Sequence, residues 1–90
     1  MRVIIKFSNI LAEKIGKEIV IYFDRDVITL TEFIEVIRIQ SWSNMIIENN
    51  HLLSPVILII DNNLIQLSEM PSISITQNSD IQFHLMFAGG

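Results

Sequence analysis

Two glycines, Gly89 and Gly90, stand at the end of the sequence, and only three of its 90 residues are glycine. An α-carboxylate that follows two glycines has no side chain beside it. The last residues can therefore adopt conformations closed to other residues and enter a narrow cleft. Three residues past Phe87 reach at most ~10 Å, enough to present the carboxylate inside a partner. A carboxylate is inert toward nucleophiles until it gains a leaving group. Attack on the α-phosphate of ATP would make an acyl-adenylate, from which a sulfur or amine nucleophile could take the carbonyl carbon. The chain has no glycine-rich phosphate loop, so the activating machinery must be another protein. The plain alternative is a frayed tail of small residues, Ala88 to Gly90.

Other residues that could do chemistry are fewer. There is no cysteine, which removes disulfides, thiolate metal sites and thiol nucleophiles together. His84 falls on the strand face opposite Phe83 and Leu85. The sequence marks no partner for acid–base work there, so it reads as an exposed or interface residue. His51 lies between Asn50 and Leu52 without a second spaced ligand, and no metal site is expected. Asp24 and Asp26 read as turn formers. Trp42 with Met45 is either a small cap over the core or a docking patch. Met86, Ile4 and Val20 could form an apolar patch on the sheet face turned away from the helix, unless a second copy covers it. Lys6, Lys14 and Lys17 are possible acceptors of a modifier, as any surface lysine is.

The bulk properties narrow the class. Ninety residues make one domain, with half the residues apolar and 18% charged, which excludes a disordered tail. The net charge is −4. Up to Arg38 there are six residues of each sign; beyond it there are four acids and no Lys or Arg. No cationic surface for a polyanion is expected from that distribution, so nucleic acid is not an expected partner. The longest apolar run, Val56 to Ile60, is far short of the ~20 residues of a membrane-spanning helix. A secreted domain this small would usually carry disulfides, so the cytoplasm is the expected compartment.

The elements that must position the terminus follow from periodicity. Val3, Ile5 and Phe7 alternate with Arg2, Ile4 and Lys6, which predicts a first strand. Ser8 or Asn9 would cap a short helix over Ile10, Leu11 and Ile15, ended by Gly16. Ile19, Ile21 and Phe23 predict a second strand antiparallel to the first. Thr29 and Glu32 have the spacing of a capping box, and Leu30, Phe33, Ile34 and Ile37 make one apolar stripe, which predicts a helix over 29–40. Residues 41–54 are hard to read; Trp42, Met45, Ile46 and Ile47 would extend the helix or form a second short one, closed by Asn49-Asn50. Val56 to Ile60 reads as a central strand buried on both faces. Asp61-Asn62-Asn63 predicts a turn, Leu64 to Leu67 a short strand, and Asn78-Ser79-Asp80 a second turn. Ile81, Phe83, Leu85 and Phe87 alternate in a final strand. The expected architecture is α+β: a mixed sheet of four to five strands with one main helix on one face, the β-grasp arrangement.

With that order in place, the whole chain resembles the sulfur-carrier branch of the ubiquitin-like β-grasp proteins. That branch includes the small subunit of molybdopterin synthase, the thiamine-pathway sulfur carrier and related small modifiers. Val3 to Phe7 resembles their opening strand, Ser8 through Gly16 the short segment after it, and Thr29 to Ile37 their threonine-started helix. Ile59 to Asn63 stands where they carry a strand ending in Asn-Gly, and Asn78 to Ile81 at their Gly-Asp turn. Phe87-Ala88-Gly89-Gly90 matches their hydrophobic–small–Gly-Gly ending, the one specific motif of the set. Leu85-Met86 departs from the prolines frequent in the molybdopterin branch. The resemblance implies that Gly90 is adenylated by a ubiquitin-activating-type enzyme that uses ATP and Mg²⁺, and becomes a thiocarboxylate. Ala88 and Gly89 would thread the tail into that enzyme. The sulfur would pass to the large subunit of molybdopterin synthase or to another acceptor, such as a thiamine precursor or tRNA. Alternatively the end is joined to lysines of target proteins. The chain would bind no cofactor itself, and catalytic residues would belong to its partners. The sheet face bearing Ile4, Val20 and Met86 would be the docking surface, with Phe87 as a further docking residue. A β-grasp interaction module with an incidental tail is the remaining alternative.

Overall fold

The structure, a computed structural model, describes residues 1–48, 51–53, 56–65 and 72–85. Strand β1 (Arg2–Phe7) turns Val3, Ile5 and Phe7 into the core, as its alternation predicts. Ser8 leads into helix α1 (Asn9–Ile15), which buries Leu11 and ends at Gly16. Gly16 has φ +124°, a backbone conformation that glycine alone adopts without strain. Strand β2 (Glu18–Tyr22) then runs back antiparallel to β1, with Ile4 opposite Val20.

A bend at 24–26 leads to the two-residue strand β3 (Ile28–Thr29) and helix α2 (Leu30–Arg38). Both halves of the capping box are present. Thr29 Oγ1 accepts from the Glu32 backbone N–H at 3.1 Å, and the Thr29 N–H donates to Glu32 Oε1 at 3.3 Å. Arg25 pairs with the same Glu32 carboxylate. Leu30, Phe33, Ile34 and Ile37 are all buried, so the stripe is the helix's core face. The helix is shorter than the span 29–40, ending at Arg38.

In the next segment the second short helix is a single turn, and Ile46 and Ile47 lie beyond it rather than within a helix. One turn of 3₁₀ helix (Ser43–Met45) is followed by strands β4 (Ile47–Glu48) and β5 (His51–Leu52), paired antiparallel as a small hairpin. Asn49-Asn50, between them, lie outside the described residues. The Ile46 N–H bonds back to the Ser43 carbonyl, closing the 3₁₀ turn, and the Leu53 N–H bonds to the Ile46 carbonyl, so beyond that single turn the hairpin takes up the backbone.

Strand β6 (Val56–Ile60) and strand β7 (Asn63–Ile65) form a hairpin around Asp61-Asn62. Both turn residues have positive φ, 50° and 68°, the geometry of the two-residue turn whose twist matches that of the strands. Strand β8 (Ser74–Ile75) pairs with β3, a ladder that the sequence did not announce, placing Ile28 opposite Ile75. Thr76 and Ser79 close the turn before strand β9 (Ile81–Leu85).

The described residues thus form a small α+β domain whose main sheet has the order β2-β1-β9-β6-β7. It is mixed: β9 is parallel to β1 and antiparallel to β6. The strand at the centre is β9. Val56–Ile60 is therefore corrected in two respects: it lies second from the edge, and it alternates buried with half-buried residues. The reason is that Ile57 and Ile59 point to the face opposite the single core, where neighbouring side chains cover them only in part. The core lies on the other face, with Val3, Ile5, Phe7, Leu58, Ile60, Ile81 and Phe83 meeting the buried stripe of α2 in one cluster.

Candidate functional site

Because β1 and β9 are parallel, Ser8 at the end of β1 and Leu85 at the end of β9 emerge at the same edge of the sheet. The chain toward Gly90 therefore leaves from the sheet's middle strand, beside the start of α1. Two contacts tie that corner together. The Ser8 N–H donates to the Phe83 carbonyl at 3.2 Å, and Asn9 Nδ2 donates to the Leu85 carbonyl at 3.5 Å. Phe7 stacks on Phe83 with ring centroids 5.8 Å apart and meets Trp42 edge-on at 5.3 Å. Trp42 is thus a cap on the core at this end, the first of its two readings, whereas Met45 is 37% exposed.

On the face away from the helices, the structure brings together a row that the sequence reading missed. Ser8 Oγ lies 2.8 Å from His84 Nδ1, and His84 Nε2 lies 2.7 Å from Gln82 Oε1. Gln82 Nε2 donates to both oxygens of Asp80, at 3.2 and 3.1 Å, and Asp80 lies 3.8 Å from Lys6 Nζ. Asp80 can only accept, so it fixes the orientation of the Gln82 amide. The amide oxygen then accepts from the His84 Nε2–H, which leaves Nδ1 to accept from the Ser8 hydroxyl. One set of hydrogen-bond directions satisfies every member. His84 is therefore half-buried and fully bonded, rather than simply exposed. Asp80, Gln82 and His84 are spaced by two, so their shared face was legible; Lys6 and Ser8 come from the parallel neighbour, whose register was not. The row's chemistry is to order the corner: it pins the residue before α1 to β9.

Ile4 and Val20 sit opposite each other on this face, Ile4 half-buried and Val20 37% exposed. Beside them lies a shallow depression of about 370 Å³ lined by Ile4, Lys6, Glu18 and residues 77–80. Met86, Phe87, Ala88, Gly89 and Gly90 lie outside the described residues. Asp24 and Asp26 are exposed in the bend, and Lys6, Lys14 and Lys17 are exposed. Among the described residues, no three His, Cys, Asp or Glu side chains converge on a point where a metal could sit. No described helix is long and apolar enough to cross a membrane.

Comparison of the chain with protein-family models, with curated proteins and with solved structures finds no match.

Proposed function

We propose that the chain is a ubiquitin-like β-grasp carrier of the molybdopterin-synthase small-subunit type, activated at Gly90. The observation that carries this reading is the pairing of the Gly-Gly sequence with its point of departure. Only Met86 and Phe87 separate Leu85 from Ala88 in the sequence, and Leu85 ends the strand at the middle of the sheet. A tail leaving a strand bonded on both sides starts from a fixed point and direction, which suits insertion into a partner's cleft. The order β2-β1-β9-β6-β7, with both helices against one face, supports the β-grasp reading.

In this scheme a partner adenylating enzyme binds ATP and Mg²⁺. The Gly90 carboxylate attacks the α-phosphate and pyrophosphate leaves. Hydrosulfide released by a sulfur donor then attacks the acyl carbon, its S–H proton is lost to solvent and AMP leaves, giving the thiocarboxylate. The chain contributes the carboxylate and a docking face around Ile4 and Val20; the catalytic groups are the partners'. The same acyl-adenylate would also supply thiamine or tRNA thiolation, or conjugation to lysine.

The test is intact mass after incubation with ATP, Mg²⁺, a sulfur donor and an activating enzyme of this class. The expected result is a gain equal to replacing one oxygen by sulfur, localised to Gly90 and abolished when one alanine is appended after it. An unchanged mass, with the enzyme shown active on another carrier, refutes the sulfur role. A ladder of conjugates without that gain moves the assignment to a protein modifier.

A further inference from the structure

The sheet's β2 edge has a hydrogen-bonding pattern that determines what can join it. The Phe7 N–H bonds to the Lys17 carbonyl and the Phe23 N–H to the Met1 carbonyl, each 2.9 Å. Together with the register Val3↔Ile21 and Ile5↔Ile19, these bonds make 17, 19, 21 and 23 the residues of this segment whose backbone groups face β1. The N–H and C=O groups of Glu18, Val20 and Tyr22 therefore point away from the sheet, and among the described residues no strand pairs with them. This edge is five residues long against three for β7 at the other end. Its centre, Ile19-Val20-Ile21, carries no charge, proline or bulge, the features that usually block edge pairing. Tyr22 is 75% exposed and Val20 37%.

We infer that β2 is a self-association edge, at which two copies of the chain pair antiparallel about a twofold axis through Val20. That register follows from the outward groups. With Val20 opposite Val20 of the second copy, Glu18 faces Tyr22 in both directions, and all three outward residues of each strand exchange N–H···O=C bonds. A twofold centred one residue to either side leaves one outward residue of each strand unpaired. The side chains agree with the backbone. On the outer face the Tyr22 hydroxyl meets the Glu18 carboxylate across the join, and the two valines meet at the axis. On the core face, half-buried Ile19 meets Ile21 in the closer-spaced, non-hydrogen-bonded pair. The two Glu18 side chains are four strand positions apart, ~13 Å, so the acids do not oppose each other. The contact is small and belongs to the weak, reversible class. It lies at the β2 edge, with β1 between it and β9, and does not rest on the carrier reading.

The experiment is sedimentation of the full chain from about 10 μM to about 1 mM, with backbone amide exchange followed at both ends of that range. The expected result is a monomer–dimer equilibrium in which the amides of Glu18, Val20 and Tyr22 gain protection at high concentration. The amides of Ile19 and Ile21 should be protected throughout. Val20→Pro removes only an outward N–H, which an edge strand tolerates, and should give a monomer. Val20→Lys keeps every backbone bond, places two like charges at the axis, and should weaken the dimer about fivefold. If Val20→Pro fails to fold, Val20→Lys decides. A monomer at every concentration overturns the proposal. So does a dimer whose Glu18, Val20 and Tyr22 amides stay unprotected, or one that Val20→Lys leaves unchanged.

Discussion

His84 shows how little a residue's type says about its role before its neighbours are known. In sequence it is one polar residue in an alternating strand; in the fold both ring nitrogens are engaged, one with a hydroxyl 76 positions away. Replacing it removes partners from Ser8 and Gln82 at once, and those groups are only partly buried, so water can replace some of what is lost. His84→Leu should therefore destabilise the chain by about 1–2 kcal/mol, read as a shift in the denaturant midpoint without a change of slope. A Ser8→Ala, His84→Leu double variant should cost less than the sum of the singles, because the shared bond is lost only once. Additivity would show that the Ser8–His84 contact carries no energy. No pattern in the sequence could have joined these two residues, whereas the alternation of Asp80, Gln82 and His84 was there to be read.

Elements were legible where local forces suffice. The Thr29–Glu32 box and the stripe behind it lie within one helix, and spacing alone located α2 to within two residues at its C-terminal end. Thr29→Ala leaves the Glu32 N–H without its cap and should cost about 1 kcal/mol, lowering the thermal midpoint by about 4–8 °C. An unchanged midpoint would mean that Arg25, paired with Glu32, holds the helix start without the hydroxyl. Where elements are made by tertiary pairing, the sequence was mute. Ile28–Thr29 and Ser74–Ile75 are too short for any period to register, and they pair only because the fold brings them together. Ile46 and Ile47 looked helical because buried apolar residues in a row suit either structure; a short hairpin over the core end was the outcome. The Asp61-Asn62 turn was readable because two residues that tolerate positive φ stand side by side between apolar runs.

At the scale of the whole molecule, the strand order was the least legible feature, since a parallel pairing between the first and last strands leaves no local mark. Its energetic weight is large. Phe83 is fully buried at the centre of the sheet and stacks on Phe7, so Phe83→Ala should cost about 3–5 kcal/mol, a large share of what a domain this size holds. The expected measurement is loss of the cooperative thermal transition at physiological temperature; a transition within a few degrees of the parent would place the core's support elsewhere. The position of β9 also orders events in time. The β1–β2 and β6–β7 hairpins are closed by short-range contacts, but the slot between them is filled only by the last strand of the sequence, paired across some 76 residues. Until that strand is available, β1 and β6 each present an unpaired, apolar edge, and the two hairpins have no common ladder. The sheet is finished like an arch with its keystone: the strand that leads in sequence to Gly90 is also the one whose arrival locks the rest.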